Sequence, residues 1–330
     1  MGWTDMADMA DINGAQDKIK VGVSSCLLGQ EVRYDGGHKH LALLTKELAR
    51  YFEYVPTCPE MGAGLGVPRP PMHLAGDPAA PRALKVGDHS TDYTDQVQNY
   101  AQERIPALQD LCGYIFIKNS PSCGFFRVKV YMDNGYPGPI PGRGIFAAAL
   151  TKAMPLLPVE EDGRLHDPVL RENFITRVFA MKAWRELCAQ GLTAAGLIDL
   201  HSRYKYTLMA HAPQEYGALG QLLAAAGKHD PNELGPRYFA GMMQALQHKA
   251  TRKTNTNVLM HLQGYLKKQL QAQEKSSLGK VIEQYRSGLI PLIVPVTLLK
   301  HYFQVFPDPY IERQAYLQPY PDELSLRNAL

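Results

Sequence analysis

The sequence predicts an α/β domain, with helices around a mostly parallel sheet, followed by an all-α C-terminal domain. Three observations carry that expectation. The first half alternates short β-rich runs with turns and helix-spaced stretches, nearly every segment after Leu170 has helical periodicity, and the charge changes sign between the halves. At 330 residues the chain is long enough for two domains. Its 45% hydrophobic and 20% charged residues suit a packed globular protein rather than a disordered one.

Taken in order, strands are expected over 20–26 (KVGVSSC), 51–56 (YFEYVP) and 114–118 (YIFIK), each running into turn residues. Between them, 40–50 and 92–112 carry apolar residues at helical spacing, and strands alternating with helices argue for parallel pairing. The turn-rich GYPGPIPGRG at 135–144 feeds an Ala-rich helix over 145–154. PLLPVEEDGRLHDP at 155–168 has the Pro, Gly and acidic content of a linker, which sets the domains at 18–160 and 169–330. Beyond it helices are expected over 171–190, 197–212, 214–226, 233–248, 255–273 and 276–286, then an apolar one near 289–306 punctuated by Pro291 and Pro295.

No run approaches 18 uninterrupted apolar residues, so no transmembrane helix is expected. Asp5, Asp8, Asp11 and Asp17 argue against a secretory signal, and Met6 stands where myristoylation wants Ser or Thr. A cytoplasmic protein follows, in which the five cysteines are thiols rather than disulfides. Cys112 and Cys188 read as core residues.

The other three share one context: VSSC ending at Cys26, VPTCPE around Cys58, and IKNSPSCG around Cys123. Each thiol follows a strand-like run and sits in a turn, and the carboxyl ends of parallel strands are where such sheets bind ligands. Three convergent thiolates suit zinc or an iron-sulfur centre, and an incomplete protein ligand set marks a reactive site. Three unconnected buried cysteines are the plain alternative.

The segments CLLGQEVRYDGG (26–37), CPEMGAGLGVPRPP (58–71), NSPSCG (119–124) and GRGIFAAAL (142–150) resemble the thiouracil desulfidase family. SRYKYTLMAH (202–211), HKATRKTNTNVLMHLQGYLK (248–267) and SGLIPLIVPVTLLKHY (287–302) resemble the YbgA-like helical domain. That pairing implies a bacterial desulfidase acting on 4-thiouridine in tRNA. By the resemblance, Cys26, Cys58 and Cys123 would hold a [4Fe-4S] cluster with one open iron for the thiocarbonyl sulfur. Glu60 becomes the candidate for moving protons of water and the ring nitrogen, and Ser120 for positioning substrate or relaying a proton. Each also has a plain role, Glu60 as a helix N-terminal acid and Ser120 as a turn former. Ser24 and Ser122 serve substrate or cluster sulfurs, or simply form their turns; Arg33 and Asp35 contact substrate or pair with each other.

The first 170 residues carry 16 Lys+Arg against 20 Asp+Glu, whereas 171–330 carry 19 against 12. Within the basic half, Lys249, Arg252, Lys253, Lys267 and Lys268 lie in a stretch free of acids, and Arg203 and Lys205 stand beside Tyr204 and Tyr206. Cations interleaved with amides and aromatics suit an RNA backbone and unstacked bases, although solvated helix faces share that composition. Three functions are weighed: a tRNA 4-thiouridine desulfidase, a desulfidase of free thiouracil or thionucleosides, and a noncatalytic RNA-binding protein with a structural metal.

Overall fold

A computed structural model describes residues 18–324 and 326–328. The readings of Asp5, Asp8, Asp11, Asp17 and Met6 fall outside the described residues. The core of the first half is a four-stranded sheet in the order β2-β1-β6-β8, with every neighbouring pair parallel. Its strands are β1 (Ile19–Ser24), β2 (Phe52–Thr57), β6 (Gly113–Phe116) and β8 (Val159–Glu161). The first three match the expected runs. The fourth comes from the segment read as a linker, whose VEE looks solvated yet is buried at all three positions.

A second sheet, β5-β4-β3-β7, is mixed: β3 (Met72–Ala75), β4 (Arg82–Lys85) and β5 (Asp88–Asp92) pair antiparallel, and β7 (Val130–Tyr131) joins β3 in parallel. These strands are short and mostly half-exposed, so they lack the apolar run or clean alternation that makes a strand legible.

Three short helices accompany the sheets: α1 (Pro59–Gly62), α2 (Thr94–Arg104) and α3 (Ile145–Ala153). The helix expected over 92–112 stops at Arg104 because Pro106 cannot donate to the ladder, and the chain continues as a 3-10 turn to Leu108. The one expected over 40–50 is a π turn followed by a 3-10 turn.

The helical half comprises α4 (Pro168–Ala189), α5 (Ala194–His211), α6 (Pro213–Ala224), α7 (Pro231–Gln247), α8 (Arg252–Tyr265), α9 (Ala272–Arg286), α10 (Ile293–Val305) and α11 (Pro309–Glu312). α4 begins where Asp167 accepts from the N–H groups of Val169 and Leu170, with Pro168 at the first position. Its apolar face lies on the sheet: Phe179 meets Phe52 and Val178 approaches Gly113. One buried cluster therefore runs from the sheet through α4, α5 and α7, while a second gathers α8, α9, α10 and the chain around Tyr316. Among the described residues no helix is long and apolar enough to cross a membrane.

A three-thiol cavity as the candidate active site

Register puts the thiols together. Ser24 of β1 lies opposite Thr57 of β2, and Val23 opposite Ile115 of β6, so all three strands end at one edge of the sheet. Cys26 and Cys58 follow within two residues of their strand ends, and Cys123 comes in the loop after β6. The strand order reverses direction between β1 and β6, which is where open α/β sheets bind ligands.

A cavity of about 610 Å³ opens there, lined by Cys26, Cys58 and Cys123 together with Glu60, Ser120, Ser24, Arg33 and Asp35. Eight of the nine residues singled out in this half thus share one space. The ninth does not: Ser122 is fully buried, does not line the cavity, and its hydroxyl has no hydrogen-bond partner among the described residues. Arg33 and Asp35 form an open ion pair at 3.7 Å, and the Asp35 carboxylate also accepts from the Gly37 N–H, so both plain and functional readings apply to them.

Glu60 ties two thiol loops to each other. The Cys58 thiol donates to its Oε2 at 3.4 Å and the Ser120 hydroxyl to its Oε1 at 3.4 Å. The Ser120 oxygen in turn accepts from the N–H of Ser122 and of Cys123, at 3.2 and 3.0 Å. On the other side, Ser24 Oγ accepts from the Ile117 N–H. Glu60, only 8% exposed, therefore sits between the Cys58 and Cys123 loops as a charged group largely out of water.

The Cys123 loop is clamped from two further directions. The first N–H groups of α3 are taken by its carbonyls, Ile145 donating to Pro121 and Phe146 to Ser122, both at 3.0 Å. Gly144 makes that approach possible, since a Cβ there would stand 2.5 Å from the Ser122 carbonyl carbon. From β8, Glu161 Oε1 accepts from the N–H of Phe125 and Phe126, and Asp162 Oδ1 accepts from the N–H of Lys118. Asp162 also pairs with Lys39, a lining residue, at 3.0 Å. Sequence reasoning missed Lys39, Lys118, Arg69 and these acids. The signal for the last was the acid run directly after Val159, at a strand end.

Burial, with the Glu60 carboxylate second, pushes the Cys26 thiol up to about 11 and Cys58 up to about 12, and holds Cys123 well above the ordinary thiol range. Alone, the three groups are protonated thiols at neutral pH. A cation among them reverses that preference and draws out the thiolates. Among the described residues no three His, Cys, Asp or Glu side chains converge tightly enough for a single metal ion. Three soft sulfur donors set around a wide cavity, with polar hydroxyls between them, fit a larger inorganic centre such as an iron-sulfur cluster.

Residues 21–162 match the family described as 2-thiouracil desulfurase, and residues 205–321 match a domain described as a protein of unknown function, DUF1722. The uncharacterized protein YbgA of Escherichia coli (strain K12) is 33% identical over 159 residues, 48% of this chain and 94% of YbgA. The uncharacterized protein YbbK of Bacillus subtilis (strain 168) is 32% identical over 139 residues, 40% of this chain and 89% of YbbK. The chain belongs to the 2-thiouracil desulfurase family, with a DUF1722 domain fused behind it. A solved structure titled [4Fe-4S]-dependent thiouracil desulfidase TudS is 29% identical, covering 46% of this chain and 95% of that one, with a TM-score of 0.36.

The 2-thiouracil desulfurase match ends at Asp162 and so includes β8 and its clamp. In the helical half the candidate cations divide. Lys249, Lys253, Lys267 and Lys268 are exposed, whereas Arg203, Lys205 and Arg252 are half-buried and engaged. Arg203 is 3.2 Å from Asp199, Lys205 stacks over the rings of Tyr206 and Tyr310, and Arg252 Nη1 donates to the Tyr285 carbonyl. Tyr204 and Tyr206, expected beside the cations as stacking rings, are buried in the helical cores. Helical spacing carries the two rings toward the cores, and Lys205 reaches back over the Tyr206 ring from the half-exposed side.

Proposed function

We propose that this chain is an iron-sulfur-dependent desulfidase that replaces the sulfur of 4-thiouridine in tRNA with oxygen, giving uridine and sulfide. The observation that carries the chemistry is the meeting of Cys26, Cys58 and Cys123 around one cavity that also holds Glu60 and Ser120. Membership of the 2-thiouracil desulfurase family supports the same reaction class. In this reading the three thiolates hold a [4Fe-4S] cluster with one iron free of protein ligands, which supplies a soft Lewis acid for the thiocarbonyl sulfur.

The chain's own groups do the rest. Glu60, shielded from bulk water, takes the proton of the attacking water and returns it toward the ring nitrogen or the leaving sulfur. Ser120, donating to Glu60 and fixed by two backbone N–H groups, holds that carboxylate in place. Arg33, Asp35 and Ser24 line the same space and supply donors and acceptors for the pyrimidine edge. Water enters, sulfide leaves and no electrons are transferred.

The catalytic part, expected over 18–160, then runs on through β8 to Asp162, and 169–330 is the part that grips RNA. The exposed Lys249, Lys253, Lys267 and Lys268 offer the backbone contacts, and the half-buried Arg203, Lys205 and Arg252 add to the positive charge of the same half. A second reading, desulfidation of free thiouracil, is favoured by the description of the matched family.

The test is sulfide release by the anaerobically prepared protein from thiolated tRNA and from free thiouracil. A kcat/KM at least about tenfold higher on tRNA, falling steeply with salt, supports the RNA substrate. Turnover of the free base alone assigns the second reading, and no sulfide from either overturns both.

A further inference from the structure

The helical half contains a second cavity that desulfidation does not use. It lies between α4, α5, the start of α8 and the chain at Leu326 and Arg327, and measures about 160 Å³, roughly a quarter of the thiol cavity. That is room for several waters and too little for a nucleoside.

Its charges do not close on themselves. Glu172 is the one carboxylate lining it among the described residues, and that carboxylate is committed: Oε1 accepts from Arg327 Nε at 2.8 Å and from the Tyr320 hydroxyl at 2.9 Å. Lys249 and Arg252 also line the cavity, and neither has a carboxylate within ion-pair distance among the described residues. Arg252 spends one N–H on the Tyr285 carbonyl and rests on the Tyr285 ring, leaving the remainder of its guanidinium fork unassigned. Thr207 is a further donor. It is 1% exposed, lines the cavity, and its hydroxyl has no hydrogen-bond partner among the described residues.

A buried orphan hydroxyl costs free energy, and the half-buried Arg252 and the exposed Lys249 line the same cavity without a carboxylate partner among the described residues, which makes the missing partner an acceptor carrying negative charge. A tetrahedral oxyanion has enough acceptor sites for an ammonium, a guanidinium and a hydroxyl at once, and its charge matches the two cations.

We propose that this cavity is a phosphate-binding site in which Lys249 and Arg252 supply the charge and Thr207 the hydroxyl donor. The occupant is a phosphate group, supplied as inorganic phosphate or as one phosphate of an RNA backbone. The site stands independently of the desulfidation chemistry, because its test needs no turnover.

The full-length protein is titrated with inorganic phosphate by calorimetry at constant ionic strength. One saturable site is expected. Lys249→Gln weakens it about tenfold or more, the scale of one charge-assisted hydrogen bond. Thr207→Val keeps the shape, removes the orphan hydroxyl and weakens phosphate several-fold while leaving thermal stability in phosphate-free buffer equal or higher. Heats that never saturate, or unchanged affinity in both variants, overturn the site.

Fluorescence anisotropy with labelled tRNA then assigns the source. If the backbone fills the cavity, phosphate displaces tRNA more than chloride does at matched ionic strength, and Thr207→Val weakens tRNA binding. If free phosphate is the ligand, tRNA binding ignores both changes while the calorimetric loss persists.

Discussion

The carboxyl edge of the parallel sheet and the seam between α4, α5 and α8 are both polar cavities set in apolar cores, both lined by more cations than carboxylates, and they differ in donor type: the first presents three soft thiols, the second none. At the sheet edge, three soft donors surround the Glu60 carboxylate, and burial holds all three as neutral thiols. At the seam, the Glu172 carboxylate is already answered by Arg327 and Tyr320, and the excess is positive. The thiols of the first suit a soft metal centre, and the donors of the second suit the proposed hard oxyanion. Reading what a buried cavity lacks is thus more informative than counting what it contains.

The contrast is sharpened first at Glu60. Glu60→Gln keeps the shape of the bridge and removes the base, so turnover is expected to fall on the order of 10²–10⁴-fold while bound iron is unchanged. Parallel measurement of sulfide release and iron content checks it, and undiminished turnover removes Glu60 from the chemistry.

Gly144→Ala comes next. The added methyl would press on the Ser122 carbonyl and stand 2.8 Å from the Cys123 nitrogen. Overpacking of this kind costs about 1–3 kcal/mol, visible as a lower melting temperature, and it displaces one thiol of three. Reduced iron retention in a still folded protein is the expected signature, and full retention would show that the Cys123 loop tolerates movement.

The smallest effect separates the two regions by pH. Burial holds His201 and His211 below the ordinary imidazole range, and holds the Glu161 carboxyl above the ordinary carboxylate range. As pH falls through about 6.5, the unfolded chain takes up protons on those histidines before the folded one does, which destabilises α5. Glu161 has the opposite sign: its raised folded pKa favours the fold as pH falls toward the usual carboxylate range. Hydrogen exchange, corrected for intrinsic rates, should show α5 losing protection between pH 7 and 5.5 while β6 and β8 hold or gain.

How legible these regions were follows from whether their determinants are local. β1, β2 and β6 are apolar runs closed by turn residues, so both the strands and the placement of Cys26, Cys58 and Cys123 at their ends could be read. β8 could not, because Glu160, Glu161 and Asp162 look like solvent-facing acids. Glu160 has a local partner in Arg164, but Glu161 and Asp162 are buried with the N–H groups of Phe125, Phe126 and Lys118, and with Lys39, which come to them from elsewhere in the chain. Lys39 as a wall of the cavity and Thr207 as an orphan were invisible for the same reason, since each is defined by what other segments bring or fail to bring. Tyr204 and Tyr206 show the converse: their adjacency to Arg203 and Lys205 looked like an exposed stacking surface, but both rings are buried, and Tyr206 meets Lys205 only as a ring under its ammonium.

The shared-thiol centre is tested most directly by iron content and visible absorption after anaerobic purification. The wild-type protein should carry about four irons per chain with the broad absorption of an iron-sulfur centre. Cys26→Ala, Cys58→Ala and Cys123→Ala should each lose it, and Cys188→Ala should keep it, since Cys188, unlike the buried Cys112, is exposed on α4 rather than in the core as expected. A Cys123→Ala protein with a full iron complement and unchanged spectrum would contradict the assignment of these three thiols to one centre.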